Sequence, residues 1–424
     1  MICSERELGI GENHSGILVL EDDLPLGADV VEVLGLRDVV LDVAVNPDRG
    51  YALSVRGIAR ELAIAYGVDY DDPGIKPVSA YDGPGWDVVV DDPSGCDRYV
   101  ARLVTGLDTK APSPQWLQRR LALAGMRPIS LAVDVTNHVM LDLGQPLHAF
   151  DRDRLRGSIV VRRARSGERI RTLDDVDRAL DPADLVITDD SGPIAIAGVM
   201  GGASTEIDAS ATDIVLESAH FDAVSIAYSA RRHRLPSEAS RRYERGVDDA
   251  LAPVAAAAAV ELLTRLGGAK TQAAGTDVDR RLSRPTIELN ATLPARLSGV
   301  DYETATVVRR LVDVGCAVDG TDVLQVRPPS WRPDLRRDVD LVEEVVRLEG
   351  YEQLPVTVPS APAGRGLTRS QRLRRTVGRA VAAAGYAEVV TYPFVSDAVV
   401  AQLMLPEDDG RRPSVRVANP VSDE

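Results

Sequence analysis

Residues 330–351, SWRPDLRRDVDLVEEVVRLEGY, gather Asp334, Asp338, Asp340, Glu343 and Glu344 around one expected helix. Pro333 suits a first helical turn and Gly350 a left-handed stop. Leu335, Val339, Val342 and Val346 would form the apolar stripe. Asp340, Glu343 and Glu344 then crowd one face at i, i+3 and i+4, where like charges repel by a few tenths of a kcal/mol per pair. A hard cation such as Mg²⁺, which takes carboxylate oxygens, would offset that cost. The plainer alternative is a solvated acidic face with Arg336, Arg337 and Arg347 as partners, and helix spacing by itself favours it.

A second set lies upstream: GQPLHAFD (144–151), AGVMGGASTEID (197–208), VLESAHFD (215–222) and RRHRLPSEASRRYERGVD (231–248). The last holds Arg231, Arg232, Arg234, Arg241, Arg242 and Arg245. Guanidinium forks grip phosphate oxygens in pairs, so the segment suits phosphate. Surface ion pairs with Glu238 and Glu244 would explain it equally well. Glu217 follows Val215 and Leu216, and a carboxylate in such company must hydrogen-bond something or shift its pKa. The five histidines show no zinc-ligand spacing, and neither a GxSxG elbow nor a Walker-type phosphate loop is present. The GVMGG run reads as a strand followed by a structural glycine turn rather than a phosphate loop.

These groups need elements to position them. A helix is expected from a Ser54 cap to Tyr66 with Gly67 ending it, another, capped, in SPQWLQRRLALAG, and an Ala-rich one over about 250–266 closing on Gly267-Gly268. RYVARLV, IVVRRA and LVITDD read as strands, as do TIELN, WDVVV, EVVTYPFV and the GILVL and VVEVLGL stretches near the start. TATVVRRLVDVG and the basic QRLRRTVGRAVAAAG read as helices, and PVTVPSAPAGRG as a linker. The length allows two to four domains with their own cores. A net charge of −16, from 65 acidic and 49 basic residues, argues against a general nucleic-acid coat. Three widely spaced cysteines give no disulfide framework, so a reducing cytoplasm is expected. No apolar run spans a bilayer, so no membrane partner is expected.

At the four upstream segments, at MRPISLAVDVTNHVMLDLGQPLHAFD (126–151) and at SWRPDL…DLVEEVVRLEGY, the sequence resembles the beta subunit family of bacterial phenylalanyl-tRNA synthetases. The resemblance covers essentially the whole chain. It implies an α+β multidomain protein, truncated at both ends against the family plan. Residues 1–31 would be the tail of an OB-fold tRNA-binding domain and 32–93 a B1-like domain with linker. Residues 94–270 would be an α/β B3/B4 editing domain, and 283–358 a helical, winged-helix-like B5 domain with a short sheet. Residues 365–424 would open a B6 catalytic-like α/β domain.

The resemblance also assigns roles. Glu217 matches the glutamate that reads a tyrosine hydroxyl, and His148 the histidine near the scissile ester, positioning or polarising water. Gly201, Ser237 and Ala239 fall at pocket-lining positions; Ser237 stands where some relatives have threonine. Mg²⁺ ligands map onto Asp334, Asp340, Glu343 and Glu344, in a site shared with the alpha subunit. Arg231, Arg232, Arg241 and Arg242 are the expected tRNA contacts. The implied assembly is an α₂β₂ tetramer with tRNA(Phe), in which the alpha subunit binds ATP and phenylalanine. A free-standing aminoacyl-tRNA deacylase and a non-catalytic RNA-binding scaffold are the alternatives.

Overall fold

The computed structural model describes residues 3–11, 14–20, 24–360, 364, 366–390, 392–412 and 415–419. Two units separate by contact: Met1–Pro355 and Val356–Glu424.

In the first unit, two sheets and a helical layer position the candidate site. One sheet has the order Lys270–Thr271, Cys96–Thr105, Ile214–Phe221, Leu147–Asp151, and Thr276–Asp279 also pairs with Cys96–Thr105. The other runs Val88–Val90, Ile159–Arg163, Leu185–Asp189, Gly192–Ile196, Met200–Gly201. Side chains alternate along a strand, so the three strands Cys96–Thr105, Ile214–Phe221 and Leu147–Asp151 each feed two cores. Tyr99, Ala101, Phe150, Val215 and Ala219 join Val161, Ile187, Ile194 and Ile196 of the second sheet in one cluster. Val100, Val104, Ala149, Ile214 and Leu216 join Leu117, Val135, Val139, Ala255, Ala259 and Leu263 from the helices Gln115–Leu123, Leu131–Leu143 and Ala252–Gly267 in another. The expected alternation of RYVARLV is therefore present, but both faces are covered.

Residues 287–349 build a third core. Strands Ile287–Asn290, Val323–Arg327 and Ala317–Asp319 form a small antiparallel sheet. Leu289, Leu324 and Val326 pack against Val307 and Leu311 of the Thr304–Asp313 helix and Leu341 and Val345 of the Asp338–Glu349 helix.

Local signals translate well where caps carry them. The Val55–Tyr66 helix starts with the Ser54 side chain accepting from Gly57 N and ends on left-handed Gly67. The Ala-rich helix ends on left-handed Gly268. Other expectations need correcting. GILVL is irregular and VVEV is one short helix, Val30–Val33, because Asp29 caps it by accepting from Val31 N. The Gln115–Leu123 helix has no side-chain cap; Ser113 instead donates to Asp134 at 2.6 Å. The acidic helix begins at Asp338, not Pro333, and Gly350 has φ 103°, ψ 124° rather than a left-handed stop. Its buried face is Leu341, Val342, Val345 and Val346, with Val339 at the surface.

In the second unit the basic helix forms at Arg369–Ala383, capped by Thr368. The described residues of EVVTYPFV form no strand, and Thr391 lies outside the described residues. High β propensity without a partner strand leaves backbone groups unpaired, so propensity does not decide. Within the expected linker, residues 361–363 and 365 also lie outside. Among the described residues no helix is long and apolar enough to cross a membrane.

Candidate functional site

Glu217 and His148 are direct cross-strand partners. Antiparallel pairing of Ile214–Phe221 with Leu147–Asp151 sets Glu217 opposite His148, and on its other side Glu217 faces Ala101. Directly opposed residues share a face with Cβ atoms about 5 Å apart. That face belongs to the apolar core between the two sheets. Phe150, two residues on, meets the His148 ring edge-on at 4.6 Å between centroids.

Both groups are held neutral by burial. The Glu217 carboxyl is 5 % exposed, receives no hydrogen bond from any described residue, and is pushed up to about 8 by desolvation. Desolvation lowers His148 to about 4, and its Nε2 is buried without a partner. Above pH 4 and below pH 8 the pair is thus a carboxylic acid beside a neutral imidazole. Buried polar atoms normally find partners, so the unpartnered His148 Nε2 beside the Glu217 carboxyl makes this pair the candidate site.

Gly201 completes the contact. A Cβ built there would lie 2.6 Å from His148 Cε1 and 3.1 Å from Leu173 Cδ1, so only glycine permits the turn to close on the imidazole. Ser237 caps the Glu238–Tyr243 helix and donates to Val199 O at 2.9 Å, which ties that helix to the glycine turn. Its hydroxyl is thereby committed to structure. Ala239 lies half-buried on the same short helix.

A cleft of about 520 Å³ reaches the edge of His148. Thr136, Asn137, Leu173 and Glu206 line it; Glu217, Gly201, Ser237 and Ala239 do not. Sequence reading singled out none of these four lining residues. A usable signal was the adjacent polar pair Thr136-Asn137, one turn before Met140 and Leu143 in the Leu131–Leu143 helix.

The arginines divide. Arg231 and Arg241 are exposed. Arg232, exposed as well, pairs with fully buried Asp184, which also binds Ser229 and His233. Arg242 is 4 % exposed and donates to Leu53 O and to Glu238, so it is structural rather than a nucleic-acid contact.

The four expected Mg²⁺ ligands do not fit a cation site as they stand. Among the described residues no group of three or more His, Cys, Asp or Glu side chains is placed to hold a metal. Asp334 pairs with Arg332, Asp340 with Arg337, and Glu344 with three arginines, while Glu343 accepts from the Tyr351 hydroxyl.

Comparison with known proteins bears on both regions. Residues 95–268 match the B3/4 domain, 287–351 the tRNA synthetase B5 domain, and 354–424 the phenylalanyl tRNA synthetase beta chain CLM domain. The chain is 56% identical over 426 residues to the phenylalanine–tRNA ligase beta subunit of Thermobifida fusca, covering 100% of this chain and 51% of the relative. It is 56% identical over 428 residues to that of Streptomyces avermitilis, with the same coverage. With that of Nocardia farcinica it shares 50% over 430 residues, covering 99% of this chain and 52% of the relative. The chain thus spans about half the length of the curated relatives it matches. An N-terminal fragment of the Pyrococcus horikoshii phenylalanyl-tRNA synthetase beta-subunit, at 13% identity, covers 73% of this chain and 86% of that one with a TM-score of 0.37.

Proposed function

We propose a function from one premise: the chain belongs to the phenylalanine–tRNA ligase beta subunit family. On this reading it works within an α₂β₂ ligase in the cytoplasm. The alpha subunit carries ATP and phenylalanine, and the B3/4 region here hydrolyses mischarged Tyr-tRNA(Phe). The single observation carrying the hydrolytic role is the register pair His148–Glu217, which sets a half-buried imidazole beside a buried carboxyl on one face.

The chemistry follows from that pair. A pocket built for phenylalanine rejects tyrosine poorly, since tyrosine only adds a hydroxyl. A second site that hydrogen-bonds the hydroxyl supplies the missing discrimination. Neutral Glu217 can accept from a phenol and donate back; phenylalanine would leave it unsatisfied, at a cost of about 1–3 kcal/mol. Neutral His148 can hold and polarise a water near the ester carbonyl. With its pKa near 4 it is a weak proton acceptor, so positioning outweighs general-base strength. The adjoining cleft has the volume of a small-ligand site, about 300–1,000 Å³, and would take the esterified end of the RNA. The exposed Arg231 and Arg241 are candidate phosphate contacts.

Incubation with Tyr-tRNA(Phe) tests the reading. The chain should release tyrosine faster than buffer does, and Glu217→Ala should lower the tyrosine-over-phenylalanine preference on the order of 10–100-fold. Tyr-tRNA(Phe) that survives as long as in buffer rules the activity out. Equal loss for both esters removes Glu217 as the reader of the hydroxyl.

A further inference from the structure

The acidic helix Asp338–Glu349 and its approach were expected to bind a divalent cation; the geometry points to another occupant. We infer that its carboxylates form an arginine-filled clasp that fastens residues 49–61 to residues 331–347, and that this clasp takes the place of a metal site.

Glu344 is the centre. Its side chain is 1 % exposed, and both oxygens are taken. Oε1 receives Arg49 Nη2 at 2.6 Å; Oε2 receives Arg332 Nη1 and Arg347 Nη2, each at 2.9 Å. Arg332, also 1 % exposed, turns its other edge to Asp334, with Nε and Nη2 at 2.9 and 2.7 Å from the two oxygens. Arg347 reaches back to Glu61 at 2.8 Å, and Glu61 accepts from the Tyr51 hydroxyl at 2.5 Å. The planar faces are used as well: Arg332 lies 5.2 Å from the Tyr51 ring centroid, and Arg60 stacks 3.7 Å over Trp331. Trp331 is itself fixed by Gly315, where any Cβ would come within 2.5 Å of the indole.

The remaining carboxylates are also engaged. Asp340 accepts from the backbone N–H of Arg336 and Arg337 at 3.1 and 2.9 Å and from the Arg337 side chain at 3.1 Å. Glu343 accepts from Tyr351 at 2.5 Å. A cation at these four groups would have to displace guanidinium donors and then sit against the positive charges of Arg49, Arg332, Arg337 and Arg347. Guanidinium forks already do what a cation would do for the crowded carboxylates, since they offset the like-charge repulsion and also satisfy the oxygens directionally.

Two measurements on the 424-residue chain, each repeated on the chain captured with its alpha subunit, test the inference. Metal content after dialysis and melting with EDTA or excess Mg²⁺ should show no retained Mg²⁺ and an unchanged midpoint. Glu343→Gln, which would cripple a cation site but leaves Glu344 in place, should melt like the parent. Glu344→Gln should melt lower by about 5 °C or more. Arg49→Gln combined with Glu344→Gln should cost less than the sum of the single changes. About one Mg²⁺ per chain that is lost in Glu343→Gln, or a midpoint that EDTA lowers, overturns the inference. These metal readouts stand even if Glu344→Gln fails to fold.

Discussion

The B3/4 region and the Glu344 clasp both bury ionisable groups, and they treat them oppositely. Glu217 and His148 lie side by side with no side-chain hydrogen bond from any described residue, and each is driven to its neutral form. Glu344 and Arg332 are more deeply buried, yet each meets opposite charges on two sides, and Glu344 is held well below the usual carboxylate range despite desolvation. A buried charge survives only when paired and hydrogen-bonded; otherwise it neutralises. The contrast separates a cluster whose charges are all paired from a candidate site whose two ionisable groups are not. It also explains why counting carboxylates misleads. The five-acid helix looked the richer in chemistry, whereas a single glutamate facing a single histidine has the unfilled valence.

The sharpest way to break this comparison is to remove one partner from each region. Arg332→Met leaves Asp334 and Glu344 facing an apolar side chain, and should cost about 3–5 kcal/mol in urea unfolding. Glu217→Met removes an unpartnered carboxyl from an apolar interface and should cost nothing or stabilise by about 1–3 kcal/mol. Similar losses at both positions would mean that Glu217 has a structural partner after all.

A pH series sharpens the same point. Between about 4.5 and 8 the folded chain keeps a proton on Glu217 that the unfolded chain has released. Stability from this group is therefore full below pH 4.5 and falls, by on the order of 1 kcal/mol per unit, as pH rises towards 8. His148 works in the opposite sense between about 4 and 6.5, where the unfolded chain binds the extra proton. The two slopes nearly cancel below 6.5, so the pair's net loss should emerge between 6.5 and 8. Comparing the parent with Glu217→Gln across pH 5–9 isolates the glutamate. Parallel curves would show that Glu217 is not protonated in the folded state.

How far these features were legible depends on how local they are. Ser54 and Gly67 bracket their helix because a cap is read within one turn. Of the strands at the site, Cys96–Thr105 was visible as RYVARLV, whereas Leu147–Asp151 and Ile214–Phe221 were not read as strands. The register was not legible either, because no spacing in the sequence says that residue 148 lies opposite residue 217. Without the resemblance, Glu217 would have been one buried carboxylate and His148 an unrelated ring. The clasp was less legible still. Arg49 and Glu61 come from a segment remote from Glu344, so local helix spacing counted the acids and missed their partners. The EVVTYPFV stretch failed for a related reason: a strand is a property of a pair, and none of its described residues is paired.

Gly201 offers a smaller perturbation that reaches the site without touching either ionisable group. In Gly201→Ala the new methyl would press on His148 Cε1, so the ring must shift. Overpacking of this kind costs about 1–3 kcal/mol in stability. Hydrolysis should fall more than affinity for the RNA does, because the imidazole is displaced while the basic surface is untouched. Steady-state kinetics with Tyr-tRNA(Phe) would show kcat reduced and KM nearly constant. A change in KM alone would place Gly201 in binding rather than in holding the histidine.

The smallest expected effect comes from two adjacent arginines that repeat the comparison in miniature. Arg242 is buried against Leu53 O and Glu238, so it belongs with the paired charges of the clasp. Arg241 is exposed, and its contact with Glu238 is a long 3.7 Å. Exposed pairs of that kind contribute about 0–1 kcal/mol, so Arg241→Ala should leave the melting curve almost unmoved. If its charge meets a phosphate, removing it should weaken tRNA binding uniformly and lower the log–log salt slope by about 0.7–0.9. Arg242→Ala should do the reverse, lowering the melting midpoint while leaving the salt slope intact. Identical salt slopes for the parent and both variants would remove this helix from the RNA-facing surface, whatever happens to stability.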